Sequence, residues 1–298
     1  MKTGEAKEEE KMKLIKKGFN YAQDGPGNRL VFHMQGCNMR CPWCANPEGI
    51  PLGGVLMTEQ EKLLDSVCPN GAIQDGILDR ERCRECKTRV CLNERRNEGI
   101  RMSCFEETVD EIAAEAKACS RIFFDGGGVT FSGGEPTLQF EELKEALQRL
   151  KAEGIHTAIE NNGTHIRLEE LFPYIDLLIM DFKQIDDGIH RKVTGVSNET
   201  IKKNVEQALE KHGNVLIRTP LIHGFNDDEK YIEDFLEFYR GYDCSHASFE
   251  FLKYHEFGKE KWEKCGLSYQ VEDGFVTDEI REKYETRFRE QGLCVVRT

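Results

Sequence analysis

The chain has 298 residues, 39% of them hydrophobic and 32% charged, and a formal net charge of −13. That is room for one large or two small globular domains with a substantial core. The acid excess argues against a nucleic-acid surface, which needs a basic patch, and no stretch approaches the ~18 apolar residues of a membrane span.

The opening "MKTGEAKEEEKMK" is charged and lacks an apolar h-region, so it reads as a solvated tail rather than a signal peptide. "RLVFHM" (29–34) is a short strand that runs into "GCNMRCPWCANP" (36–47). Residues 58–67 and 107–119 read as helices, and "GGGVTFSGGEP" (126–136) as a strand wrapped in glycines. "FEELKEALQRLKAEG" (140–154) has apolar residues at helical spacing and a glycine stop. "HTAIE" (156–160) is a strand, "LEELFPYI" a short helix, and "DLLIMDF" (176–182) a strand covered on both faces. Helix 198–211, strand 214–220, helix 228–240 and strand 248–254 follow. About six β/α units result, and they predict a parallel sheet with helical crossovers. Polar, glycine-rich residues recur just after the strands, on the rim where a β/α barrel builds its sites. The rhythm breaks at 68–104, which is rich in Cys, Arg and Glu and reads as an insert held by ligation.

Nine of the twelve cysteines lie between Cys37 and Cys119. Clustering of that kind favours metal or iron–sulfur ligation over scattered thiols. Without an export signal the chain is expected in the reducing cytoplasm, where disulfides are rare. Cys37-x3-Cys41-x2-Cys44 offers three thiolates with no local fourth. Three thiolates can hold three irons of a cubane and leave the fourth iron open to a substrate, as in open catalytic metal sites. A zinc site completed by His33 or by a remote cysteine is the competing reading.

"CNMRCPWC" resembles the cluster loop of the radical S-adenosylmethionine (SAM) enzymes. "YAQDGPGNRLVFHMQGCNMRCPWCANPE" is similar to the opening segment of the activating enzymes of glycyl radical enzymes. "GGGVTFSGGEPTLQ", "DLLIMDFKQIDDGIHRKVTGVSNETI", "VLIRTPLIHGFNDDE" and "FLKYHEFGKEKWEKCGLSY" resemble further segments of that family in the right order, over residues 21–270. The resemblance implies an α/β fold, a partial (β/α)6 barrel of the radical SAM type at 15–67 and 105–298, with a ferredoxin-like insert at 68–104. It implies reductive cleavage of SAM at a [4Fe–4S] cluster and removal of a Cα hydrogen from one glycine of a large partner enzyme. An anaerobic setting and flavodoxin or ferredoxin as electron donor are implied as well. A monomer is expected. Two rivals stand beside this reading: a radical SAM enzyme for a small molecule or another peptide, and a non-catalytic iron–sulfur electron carrier.

The same resemblance assigns residues. Ser132, Gly133, Gly134, Glu135 and Pro136 form the segment used for the SAM amino group, glycines letting backbone approach a ligand closely. Lys183 is placed to pair with the SAM carboxylate. Trp43 is a candidate to pack on adenine and Asn46 to bond toward a sulfur or SAM. The turn of Asp24, Gly25 and Gly27 resembles a segment near the partner's glycine loop. Glu160 and Asn161 stand where an Asp-Thr pair is usual, so a monovalent cation beside Asp181 is in doubt. His223 reads as a polar loop residue.

In the insert, "CPNGAI" resembles the end of a ferredoxin half-motif, and Cys83-x2-Cys86 begins a second one. Cys68, Cys83, Cys86 and Cys91 are expected to hold one auxiliary [4Fe–4S] cluster, with Cys104 as a possible substitute ligand. A structural zinc or free thiols are the alternatives. Cys119, Cys244, Cys265 and Cys294 read as ordinary thiols.

Overall fold

A computed structural model describes residues 11–94 and 98–298. Nine strands form one sheet: β1 (Lys11–Tyr21), β2 (Asn28–Met34), β3 (Phe105–Thr108), β4 (Gly128–Gly133), β5 (Thr157–Asn161), β6 (Leu177–Asp181), β7 (Val215–Leu221), β8 (Ala247–Lys253) and β9 (Cys294–Val295). Their order is β9-β8-β7-β6-β5-β4-β2-β1-β3, and the two end strands do not pair with each other. The six from β2 to β8 run parallel, at the six places the sequence predicts. β1 is antiparallel to both β2 and β3. The result is an open arc of a barrel.

The helices that pack on this sheet or close its rim are α1 (Val109–Cys119), α2 (Phe140–Ala152), α3 (Asp187–Thr194), α4 (Glu199–Lys211), α5 (Glu229–Tyr239), α6 (Lys259–Lys264) and α7 (Asp278–Glu290), and a further short helix, Arg80–Arg84, lies in the cysteine-rich segment. Alternation along each strand divides the arc into two faces. Phe32, Val129, Phe131, Ile159, Leu178, Met180, Ile217 and Phe249 turn outward into a core shared with the helices. From α2 that core takes Phe140, Leu143, Ala146, Leu147 and Leu150, one stripe at helical spacing. On the concave face, Ala158, Leu177, Ile179 and Leu216 pack with Val296 at the end nearer the strand starts. Above them the concave face carries charge, described below.

Three local expectations change. Lys11–Lys13, assigned to a solvated tail, already pair with β3, while residues 1–10 lie outside the described part. Residues 58–67 are not a helix. Leu56–Thr58 pairs with Ile100–Met102, and two single 3-10 turns follow. There the Asp65 carboxylate accepts the backbone N–H groups of Asp75 and Gly76, a bond that competes with helix. Residues 105–108 are strand, and α1 starts only at Val109, where Thr108 and Glu111 form a capping box.

The cysteine-rich segment has a small core of its own, made of Leu56, Leu63, Ala72, Ile73, Cys83, Cys91 and Ile100. Among the described residues no helix is long and apolar enough to cross a membrane.

Candidate functional site

The three-cysteine loop leaves the C-terminal end of β2 and is stitched to the loop after β4. Gly134 N–H donates to the Met34 carbonyl at 2.9 Å, and Glu135 N–H to the Gly36 carbonyl at 2.6 Å. Gly36 N–H donates to Gly49 O at 2.7 Å and Cys37 N–H to Ile50 O at 3.0 Å. A Cβ on Gly134 would stand 2.1 Å from the Gly36 oxygen, so no side chain fits. Gly133 has φ +109°, and its Cβ would stand 2.5 Å from Met34 N. Both glycines are therefore required by contact between two pieces of this chain.

Cys37, Cys41 and Cys44 lie close enough for their charges to act on one another. Burial pushes the Cys37 thiol up to about 12, with Glu135 and Cys44 adding to it. Burial likewise puts Cys41 at about 12, opposed by Lys183, and raises Cys44. Such a pocket disfavours free thiolates unless positive charge enters, and a bound metal supplies it. Donors already aim at the sulfurs: Asn46 N–H points at Cys44 Sγ at 3.4 Å, and Asn162 Nδ2 lies 4.0 Å from Cys37 Sγ. Among the described residues no group of three or more His, Cys, Asp or Glu draws close enough to hold a single metal ion. A cubane bonds each cysteine to a different iron, and three cysteine thiols are a donor set that suits one.

The other predicted residues separate into those that face this pocket and those already engaged. Lys183 is 9% exposed at the end of β6 and bonds Asp181 Oδ2 at 2.5 Å. Burial lowers its pKa, but Asp181 and the thiols of Cys41 and Cys37 outweigh that and raise it, so it stays a cation. Glu135 is fully buried, and its carboxylate accepts from Thr137 and, at 2.6 Å, from Asn162 N–H. It fixes two rim loops, and its oxygens are taken up. Trp43 packs on Phe225, ring centroids 4.8 Å apart, within a cluster that includes Ile222 and Tyr254. The Asn46 side chain accepts from Lys261 Nζ at 2.7 Å, which leaves its backbone N–H as the group on the sulfur side. His33 Nδ1 is buried without a partner among the described residues, and burial holds its ring at about 4. His223 is an exposed loop residue whose pKa is raised by Asp227, 2.5 Å away.

Charged residues line the concave face, in pairs that no local sequence pattern announces. Arg218, on β7 and 4% exposed, bonds Glu160 Oε1 at 2.6 Å and Glu250 Oε2 at 2.8 Å. Ser132 Oγ donates to Glu160 Oε2 at 2.7 Å, and Thr298 caps Glu250 Oε1. Burial would raise Glu160, but Arg218 and Ser132 outweigh it and its pKa is lowered. Arg218 Nη2 also reaches the Gln23 carbonyl at 2.6 Å, and Thr130 Oγ1 reaches that of Asp24 at 2.7 Å. The 22–27 turn is thereby drawn against the concave face. Asn161 is spent on the Ile179 carbonyl and Gly163 N–H. A separate cavity of 460 Å³, lined by Tyr239, Cys244 and Leu293, lies at the strand starts of β8 and β9, away from the cysteine loop.

In the insert, Cys68, Cys83, Cys86 and Cys91 come together. Burial raises Cys83, with Cys86 and Cys68 contributing, and raises Cys91, with Cys83, Cys68 and Cys86 contributing. Ala72 N–H donates to Cys68 Sγ at 3.3 Å and Arg89 N–H to Cys86 Sγ at 3.4 Å. Arg89 adopts φ +44° to do so. That bond and those from Thr88 lower the pKa of Cys86 at the exposed edge. Cys104 is not part of this group. The Ile100–Met102 strand carries it to Gly54, and its sulfur faces the Gly53 carbonyl at 3.7 Å.

Residues 31–238 match the radical SAM superfamily, to which the chain belongs. The 4-hydroxyphenylacetate decarboxylase activating enzyme of Clostridioides difficile is 31% identical over 289 residues, 91% of each chain. The indoleacetate decarboxylase activating enzyme of Tractidigestivibacter scatoligenes is 33% identical over 268 residues, 83% of this chain and 84% of that one. Within the superfamily, the chain is one of the activating enzymes of glycyl radical enzymes. In fold it is similar to QueE from Escherichia coli, with a TM-score of 0.50, 11% identity and coverage of 96% and 92%. Its family's cofactors are a [4Fe–4S] cluster and SAM.

Proposed function

We propose that Cys37, Cys41 and Cys44 hold the [4Fe–4S] cluster and leave one iron for SAM, and that the chain activates a decarboxylase or lyase of the glycyl radical class. The observation that carries this is three neighbouring thiols on the C-terminal rim, Cys41 buried and Cys37 and Cys44 partly so, with the Lys183 cation beside them. A cluster held by these three cysteines would supply the one-electron reduction of SAM that leads to removal of hydrogen from a partner glycine. The chain's own residues orient and shield. Lys183 offers its charge to the SAM carboxylate, and the carbonyls of Gly133 and Gly134 offer acceptors to its ammonium. Asn46 and Asn162 direct N–H groups at the sulfurs, which favours the charged form. Trp43 keeps water from the rim on the Phe225 side.

Asp181 and Glu160 are already matched to Lys183 and Arg218. On this reading no monovalent cation is needed. Cys68, Cys83, Cys86 and Cys91 hold one auxiliary [4Fe–4S] cluster, and flavodoxin or ferredoxin is the electron donor. The cysteine-rich segment 68–104 is a separate unit, and the protein acts as a cytoplasmic monomer.

Cys41→Ala tests the assignment. Under strong reductant it should lose formation of 5′-deoxyadenosine and methionine while keeping its circular dichroism spectrum. Retained SAM cleavage would remove the three-cysteine site.

A further inference from the structure

The closing segment grips the three-cysteine loop from outside. A Cβ on Gly258, just before α6, would stand 2.6 Å from the Cys44 carbonyl oxygen, so the two backbones touch. Trp262 Nε1 donates to that same oxygen at 2.9 Å. Lys261 Nζ donates to Asn46 Oδ1 at 2.7 Å and pairs with Glu48 Oε1 at 2.9 Å. Glu48 is 4% exposed, and its Oε2 has no hydrogen-bond partner among the described residues. A carboxylate buried in that way is costly unless a cation stands beside it. Asn46 in turn points its N–H at Cys44 Sγ. Lys261, Glu48 and Asn46 thus form a charged bracket on one side of that sulfur.

The far end of α6 is braced by the insert. Arg80 donates to the Lys264 carbonyl at 2.9 Å and the Leu56 carbonyl at 2.7 Å. A Cβ on Gly266 would overlap the Arg80 side chain. Lys264 pairs with Glu59 at 3.1 Å.

We propose that Lys261 is a positioning residue that sets, through Asn46 and Glu48, how readily the centre at Cys44 accepts an electron. This rests on the cluster assignment above. Lys261 acts twice: it fixes Asn46 so that its N–H stays on the sulfur, and it offsets the Glu48 charge. Both effects favour added negative charge on the sulfur and on the metal it holds. The step concerned is transfer of one electron from an external reductant to the oxidised cluster, with no bond made or broken.

The test is a redox titration of the full chain, reconstituted anaerobically with iron and sulfide. It follows the electron paramagnetic resonance signal that changes on adding SAM. Lys261→Met should load wild-type iron, yet its reduced-to-oxidised ratio at fixed potential should fall about tenfold, equivalent to about 59 mV for one electron. Lys261→Arg, which keeps the cation, should stay close to wild type. Glu48→Gln should move the ratio the opposite way, because it removes the negative partner and leaves Lys261. A merely structural lysine would change iron loading or melting and leave the ratio of the loaded protein alone. A wild-type ratio in iron-loaded Lys261→Met overturns the proposal, as does a Glu48→Gln shift in the same direction as Lys261→Met. Should Lys261→Met fail to fold, the direction of the Glu48→Gln shift decides. A wild-type chain with no SAM-responsive signal refutes the site assignment instead, and this proposal with it.

Discussion

Arg218→Met removes the cation at the centre of the concave face and keeps most of its volume. Arg218 is 5% exposed in its side chain, Glu250 2% and Glu160 21%. Breaking a buried pair by deleting one partner costs about 3–5 kcal/mol, because the other charge is left uncompensated. For a chain of 298 residues that corresponds to a melting temperature lower by about 5–8 °C. The loss carries a pH signature. In the native protein Glu160 is held below its ordinary 4.5 although burial opposes this, because Arg218 and Ser132 outweigh the burial. Its contribution is present above the ordinary value and disappears as pH falls through the depressed one. In the variant burial acts with the cation gone, so Glu160 rises above 4.5 and protonation relieves it. The gap between the two proteins should therefore be widest near pH 8 and narrow toward pH 5. Anaerobic thermal unfolding at several pH values measures it. A gap under about 1 kcal/mol, or one that does not change with pH, refutes the view that this arginine is held by uncompensated acids.

Cys86→Ala should lower iron and sulfide by one cluster's worth and spare the SAM-responsive signal; unchanged metal content would defeat the four-cysteine assignment in the insert. Gly134→Ala places a carbon against the Gly36 carbonyl. It should cost about 1–3 kcal/mol as forced overpacking and reduce loading of the three-cysteine loop, whereas an equal change at Gly213, which has nothing within 4 Å, should not alter that loading. His223 should titrate above its ordinary 6.5 in a proton-resonance experiment and return toward it in Asp227→Asn, since the carboxylate causes the shift. An unchanged value in the variant would remove Asp227 as the cause.

Sequence periodicity located the parallel strands because each is a short apolar run flanked by glycine or polar residues, as in "DLLIMDF" for Leu177–Asp181. It missed β1, whose "KMKLIKKGFNY" alternates weakly and is set by pairing on both sides with β2 and β3. It missed α7 as well, since its thirteen residues bury only Tyr284, Glu285 and Phe288. The cysteine triplet was legible because thiol spacing within one loop is local. Lys261 was not, because it meets Asn46 from 215 residues away. The Arg218 pairs were hidden for the same reason: each partner sits on a different strand, and only the arc brings them together. Glu135 enters through the resemblance of its segment to one that binds SAM, and the bonds its carboxylate accepts come from residues 137 and 162.

The hollow of the arc has an end that is stoppered. Val296 sits among the apolar residues nearest the strand starts, and the turn at 22–27 is tied to Thr130 and Arg218 above them. The strand-start side of the hollow is thus filled by the chain's own residues, which leaves the rim at the strand ends, and the edge where the two end strands do not meet, as the sides by which a ligand reaches the thiols.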